Sequence, residues 1–314
     1  MKKNTPMTLH VEEFIRYRRQ LGYQCNREAP CLRSLAAFMD KEARGRPLTD
    51  DLALRWSTIR SRRPDLRMAS LKKFIAWFTL RDPRHKVSEK LMVVRRRSRT
   101  RPYIFDPDET AAMMDAARKQ ATKDSNERVY AEIIGLLACT GLRPGEPLRL
   151  DDADIDQEKG ELLVRDSKNL PLRLVPLQQC VLERMQEYKS ARQRIHPPAI
   201  TSAFFLDVFG KRVNKQILKM RFDRIRDEAG VPFREHWRKP HLYDFRHTFA
   251  CRHLLHHYRA GKRLECAIAD LSVYMGHRNI GSTYWYMTNV PELAELCVER
   301  IRENFGFENQ GGRR

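Results

Sequence analysis

The stretch ACTGLRPGEPLRL, residues 138–150, is where the chain changes character. Ahead of it, residues 131–142 carry Ile133, Ile134 and Leu137 at helical spacing, and Thr140-Gly141 supplies a stop signal. Pro144 fits the first turn of a following helix, and Pro147 is tolerable there too, because first-turn N–H groups have no helical partner. Behind the stretch, Ile155 and residues 161–165 read as strands, Asp166-Ser167-Lys168-Asn169 as a turn, and residues 170–177 as the returning strand. From Cys180 the pattern is helical, with loops around Pro197-Pro198 and over residues 231–240. A long helix, a polar turn, a small hairpin and more helices predict a mainly α chain with a small antiparallel sheet (α+β).

Toward the N-terminus, the first ninety residues predict four short helices. Phe14, Ile15, Arg18 and Leu21 share a face and are followed by Gly22; Leu32, Leu35, Ala36 and Met39 repeat the spacing. Thr49 with Asp50 and Asp51 resembles a capped start before Leu52, Leu54 and Trp56. Leu71, Phe74, Ile75 and Phe78 give the fourth stripe, and stripes of this kind are core. Then comes VVRRRSRTRPYIFDPDE, residues 93–109, whose Arg95, Arg96, Arg97, Arg99 and Arg101 form a basic run. Such a run is a solvated linker by default, or lies along phosphates in a protein that encircles DNA; both readings stand. The division expected is an N-terminal helical domain over residues 1–92, a basic linker over 93–104 and a second domain over 105–314.

The chain has 314 residues, 41% hydrophobic and 32% charged, which makes it globular rather than disordered. Its 60 Lys and Arg against 40 Asp and Glu give a formal charge of +20. That excess favours a polyanion, because every phosphate neutralised releases condensed counterions. It does not say what is done to the polyanion. No run of about 18 apolar residues exists, so no membrane span is expected. The opening MKKNTPMTLHVEEF lacks the apolar core of a secretion signal. Cysteines 25, 31, 139, 180, 251, 266 and 297 are scattered without a CxxC pair, and read as reduced, mostly structural thiols of a cytosolic protein.

If the polyanion is DNA and the chemistry is phosphodiester cleavage without a metal, fixed cationic donors must hold the non-bridging oxygens. A nucleophile must attack in line, and an acid must protonate the departing 5′ oxygen. No Asp/Glu/His cluster here resembles a two-metal nuclease site. The candidates are then Arg, Lys, His and Tyr. Four segments offer them: residues 138–150, the turn around Lys168, HLYDFRHTFA at 241–250, and MGHRNIGSTYWYM at 275–287.

Together these segments resemble the tyrosine recombinase (phage-integrase-like) family, closely over residues 105–290 and more loosely over the N-terminal helices. The resemblance places a first catalytic arginine at Arg143 in TGLR-x-x-E, and counting back from RLVPL places a hairpin lysine at Lys168. It places a second arginine at Arg246 in RHTFA and a histidine at His277 in MGH. The nucleophile, nine residues beyond that histidine, falls on Tyr286. The family's usual H-x-x-R is here Tyr243-Asp244-Phe245-Arg246, so a tyrosine replaces the histidine. A phenol can exchange one hydrogen bond with a phosphate oxygen, but with a pKa of about 10 it is a poor base at neutral pH. His241 is two residues off and would point elsewhere on a helix.

What the resemblance implies is a C-shaped clamp on duplex DNA, made of a core-binding domain and a catalytic domain joined by the linker. It implies a homotetramer on two duplexes, with or without partner recombinases, and a 3′-phosphotyrosyl intermediate that needs neither cofactor nor metal. Integration, excision or transposition of a mobile element fits better than chromosome-dimer resolution, and the setting is the cytoplasm and its nucleoid. Pro291 would open a terminal helix with Leu293, Leu296, Cys297 and Ile301 on one face, packing on a neighbouring protomer or on its own domain. Taken singly, each residue has a plainer reading: Arg143 as a partner for Glu146, Lys168 as a solvated turn residue, His277 as a cap, Tyr284 and Trp285 as packing. His253, His256 and His257 allow a metal reading, weakened by the lack of an evident Glu or Cys partner. Three rivals remain. A type IB topoisomerase would relax any supercoiled plasmid, a protelomerase would leave closed hairpin ends, and a binding-only accessory subunit would have no need of all five residues from Arg143 to Tyr286.

Overall fold

A computed structural model describes residues 6–43, 45–59, 61, 63–91, 102–120, 128–165, 172–196, 201–232, 239–277, 279–287, 295 and 298, with Trp285 and Met287 by backbone alone. The chain divides into two compact units, Met1–Arg99 and Thr100–Arg314.

The first unit is helical: α1 (Met7–Gln20), α2 (Glu28–Phe38) running into a π turn at Met39–Ala43, α3 (Asp50–Thr58) and α4 (Pro64–Phe78). The stripes foreseen from spacing meet in one core that holds Phe14, Ile15, Leu32, Leu35, Ala36, Met39, Leu52, Trp56, Leu71, Phe74, Ile75 and Phe78. Two expected core residues lie outside it. Leu21 is 55% exposed because α1 stops at Gln20 and Gly22 turns the chain away at φ +83°. Leu54 is 50% exposed: α3 buries Leu52, Ala53, Trp56 and Ser57, and a residue two places from Leu52 is rotated roughly 200° from it.

The second unit consists of α5 (Pro107–Gln120), α6 (Val129–Thr140), β1 (Ile155–Asp156), β2 (Glu161–Val164), β3 (Arg173–Pro176), α7 (Gln179–Ile195), α8 (Lys215–Glu228), α9 (Asp244–Arg259), α10 (Leu264–Tyr274) and α11 (Gly281–Met287). The three strands form one antiparallel sheet in the order β1-β2-β3, with Leu162 opposite Val175 and Val164 opposite Arg173. The chain is thus mainly α with a small antiparallel sheet. Ile133, Ile134 and Leu137 place α6 in the centre of the larger core, where Phe105 also stacks on Phe245 of α9 with centroids 4.5 Å apart. A smaller core joins α9, α10 and α11 through Cys251, Leu254, Ile268, Leu271, Met275 and Tyr286.

Two details at the end of α6 position the side chains around it. Gly141 caps α6 at φ +61°, and a Cβ there would meet Phe249 Cδ1 of α9 at 2.6 Å, so glycine sets both the turn and the approach of α9. No helix begins at Pro144. The Glu146 amide donates to the Arg143 carbonyl at 2.7 Å, which closes a turn with Pro144 at its second place, and short 3-10 turns follow at Pro147–Arg149 and Asp152–Asp154.

Candidate active site

The turn at the end of α6 brings Glu146 back beneath Arg143. Glu146 is 3% exposed, and its carboxylate accepts from four donors. These are the Arg143 amide at 2.7 Å, Arg143 Nη1 at 2.9 Å, Arg173 Nη1 at 3.1 Å and Arg173 Nη2 at 2.7 Å. Burial alone would push this carboxyl up, but the hydrogen bonds and charge of Arg173, then those of Arg143, hold it below the usual carboxylate range. Arg143 Nη2 also donates to the Gly276 carbonyl at 3.0 Å, so the guanidinium is fixed on two sides and remains partly exposed.

Arg246, on the first turn of α9, is wholly buried. Its Nη1 donates to the Gly141 carbonyl at 2.9 Å and its Nη2 to the Met275 carbonyl at 2.6 Å. Burial, and then the like charge of Arg143, hold it below its ordinary pKa. The same Nη2 lies 3.1 Å from His277 Nε2, and His277 Nδ1 lies 2.8 Å from Thr283 Oγ1. An arginine can only donate, so the Nε2 facing it carries the lone pair and Nδ1–H donates to Thr283. Burial, followed by the charges of Arg246, Arg143 and Arg173, pushes His277 down to about 4. The imidazole is therefore neutral at pH 7.

Tyr286 lies three residues beyond Thr283 on α11, one turn along the same face. It is 3% exposed, and burial pushes its phenol up to about 12 even though Arg246 pulls the other way. Its ring stacks on His277 with centroids 6.2 Å apart and meets His247 at 5.5 Å; His247 in turn meets Tyr243 at 5.2 Å. Tyr243 is the residue before α9, half-exposed beside this row. Tyr284, expected from sequence to pack, is instead 45% exposed on the opposite side of α11.

Five of the six residues singled out from sequence thus converge: Arg143, Tyr243, Arg246, His277 and Tyr286, drawn from segments up to 143 positions apart. The sixth, Lys168, lies outside the described residues, as do Arg95, Arg96, Arg97, Arg99, Arg101 and, in the predicted terminal helix, Pro291, Leu293, Leu296, Cys297 and Ile301; Glu295 and Val298 of that stretch are helical and exposed. His241 faces Asp244, with Nδ1 to Oδ2 3.3 Å, and not the row of rings. The rings of His253 and His257 meet at a tilt with centroids 4.4 Å apart, but no group of three His, Cys, Asp or Glu able to hold a metal occurs among the described residues. Six cysteines are free there; Cys25 and Cys251 are buried, whereas Cys139, Cys180 and Cys266 are exposed.

Three residues of the site lie inside the quoted segments without being singled out from sequence: Arg173 in RLVPL, His247 in RHTFA and Thr283 in residues 275–287. Arg173 carries a signal, since it shares the inward face of β3 with Val175 while the apolar Leu174 points out. A charge in phase with a buried face demands a buried partner. Thr283 is distinguished only by lying one turn before Tyr286, and His247 only by lying one turn after Tyr243.

Two fixed guanidiniums, a neutral imidazole and a buried phenol form a site for charge stabilisation on a polyanion and attack by oxygen. The profile described as "Phage integrase family" matches residues 104–292, and the chain belongs to that family, the tyrosine recombinases, enzymes that cleave and rejoin DNA. It is 29% identical over 305 residues to "Putative integrase/recombinase y4rB" of Sinorhizobium fredii, spanning 94% of this chain and 96% of that protein. A shorter match, 31% over 157 residues, joins 50% of this chain to 44% of the tyrosine recombinase XerC of Bradyrhizobium diazoefficiens. Among solved structures, the Tn1549 transposon integrase in complex with transposon right end DNA shares the fold at TM-score 0.69 and 17% identity, over 94% of this chain and 99% of that one. The lambda integrase bound to DNA does so at 0.61 and 15%, over 87% and 92%. Among the described residues, no helix is long and apolar enough to cross a membrane.

Proposed function

We propose that this recombinase cuts and rejoins specific DNA sites through a 3′-phosphotyrosyl intermediate on Tyr286, in integration, excision or transposition of a mobile element. The observation that carries the reading is the convergence of Arg143, Arg246, His277 and Tyr286, with Arg246 and His277 against the phenol and Arg143 beside them, held in place by Glu146, Gly141 and Thr283. Arg143 and Arg246 take the non-bridging oxygens of the scissile phosphate, and Tyr243 and His277 add hydrogen bonds. Tyr286 Oη attacks phosphorus as the bond to the 5′ oxygen breaks, and Lys168 gives that oxygen its proton. A 5′-hydroxyl from a second duplex reverses the step, so bond energy is conserved in the intermediate. Arg246 is wholly buried, so phosphate entry requires the groups against it, His277 and Tyr286 among them, to shift. Such exchange needs two cleaved duplexes, hence a homotetramer working on the nucleoid in the cytoplasm. Arg95, Arg96, Arg97, Arg99 and Arg101 neutralise backbone phosphates. The mobile-element role draws on the fold shared with a transposon integrase seen on transposon end DNA.

The test is covalent trapping with nicked duplexes drawn from the DNA flanking the gene. A protease-sensitive adduct in the wild type that disappears in Tyr286→Phe supports the reading. An adduct that persists in the variant overturns the assignment of the nucleophile, and relaxation of any supercoiled plasmid without a partner site favours a topoisomerase.

A further inference from the structure

The phenol of Tyr286 must lose its proton as it attacks, and the row of rings around it contains few groups able to take it. Tyr243, beside His247 in this row, is itself a phenol and at neutral pH no base for another. His277 is occupied on both nitrogens, Nε2 facing Arg246 Nη2 at 3.1 Å and Nδ1 bound to Thr283 Oγ1 at 2.8 Å. Three guanidiniums also surround it, and a proton placed there would meet their charge. That leaves His247. It lies one turn along α9 from Tyr243, on the same face, and its ring is wedged between Tyr243 at 5.2 Å and Tyr286 at 5.5 Å. It is only partly buried, so an imidazolium formed there keeps access to water.

Resting on the function proposed above, we infer that His247 accepts the Tyr286 proton during DNA cleavage and returns it during rejoining. In the forward step the Oη–H bond breaks, its proton goes to an imidazole nitrogen of His247, and Oη bonds to phosphorus while the 5′ oxygen leaves. In the reverse step the 5′-hydroxyl attacks, the bond from phosphorus to Oη breaks, and the imidazolium reprotonates the phenolate. Lys168 protonates the departing 5′ oxygen in the forward step and takes the proton of the attacking 5′-hydroxyl in the reverse, so protons and electrons balance. Contacts between rings tighten into hydrogen bonds of about 2.6–3.2 Å when a substrate completes the site. Around the pair formed by His247 and Tyr286 lie Tyr243 just before α9, Arg246 and Cys251 on α9, and His277 in the loop before α11.

The experiment measures the rate of adduct formation on nicked duplexes with the full-length wild type, His247→Asn and His247→Phe. Phe keeps a ring between the two phenols, so a packing role predicts a normal rate for it. Proton transfer predicts a loss of about 100-fold or more in both variants, with DNA affinity unchanged. The wild-type rate should rise with pH through the imidazole range, and both variants should lose that rise. A duplex with sulfur in place of the departing 5′ oxygen needs no acid. It should restore a Lys168→Ala variant and leave the His247 defect intact. Adduct rates in both His247 variants within about three-fold of wild type, with an unchanged pH profile, would overturn the inference while leaving Tyr286 as nucleophile. No adduct even in the wild type would overturn the functional reading and this inference with it.

Discussion

Replacing Glu146 with glutamine removes one charge and turns one accepting oxygen into a donating NH2, at the point where two arginines are tied together. The carboxylate spans Arg143 and Arg173 through four hydrogen bonds of 2.7–3.1 Å and is almost wholly buried. Hydrogen bonds to charged groups contribute about 1.5–3 kcal/mol each, yet the four share one pair of oxygens and do not add. Breaking a buried ion pair on one side costs about 3–5 kcal/mol, because it leaves the partner charge uncompensated. We take that range for Glu146→Gln, which for a domain of this size lowers Tm by roughly 6–20 °C. Differential scanning calorimetry measures it, and a double-mutant cycle with Arg173→Met should show coupling of about 1–3 kcal/mol. The pH dependence has a fixed sign. The folded carboxyl is held below 4.5, so its contribution is full above that value and fades as pH falls through the folded pKa. The gap between wild type and variant must therefore narrow in acid. A Tm within about 2 °C of wild type, with additive behaviour toward Arg173→Met, would refute the view that Glu146 is the anchor of Arg143.

His277 gives a second pH signature. Its folded pKa, about 4 against an ordinary 6.5, means that stability is full above 6.5 and declines as pH drops toward 4. Allowing for the solvent this ring still meets, the stability gap between wild type and His277→Gln should shrink by about 1–2 kcal/mol from pH 7 to pH 4 in urea titrations; a constant gap would contradict it. Gly141→Ala combines a left-handed backbone with a Cβ 2.6 Å from Phe249, and should destabilise by about 2–4 kcal/mol. Because the Gly141 carbonyl receives Arg246 Nη1, the same variant should also slow adduct formation; an unchanged Tm and rate would show that the approach of α9 is not set there.

Legibility in the sequence tracks the range of the interaction concerned. The apolar stripes of the four N-terminal helices and of α6 follow from local periodicity, and they pack as read apart from Leu21 and Leu54. The error at Leu54 is one of phase within a nine-residue helix, and that at Leu21 one of boundary. Pro144 satisfies the first-turn rule for a helix and the second place of a β-turn equally well, and a hydrogen bond between residues 143 and 146 decides between them. Arg143, Arg246, His277 and Tyr286 can be named because motifs mark them individually. Their supports cannot, since the contact of Arg173 with Glu146 or of His247 with Tyr286 exists only after β3 or α11 has docked. The burial of Arg246 is likewise invisible. Nothing in the local sequence says that a charged side chain on an α9 start will lie beneath two carbonyls, an imidazole and a phenol.

In the proposed mechanism the buried phenol of Tyr286, not the exposed one two residues before it, becomes joined to DNA. Accessibility alone favours Tyr284, which is 45% exposed against 3% for Tyr286. The most direct measurement is to digest the trapped protein–DNA adduct with protease and nuclease and locate the modified tyrosine by mass spectrometry. The geometry predicts a nucleotide 3′-phosphate on Tyr286 and none on Tyr284 or Tyr243. Modification at Tyr284, with Tyr286 unmodified, would contradict the account.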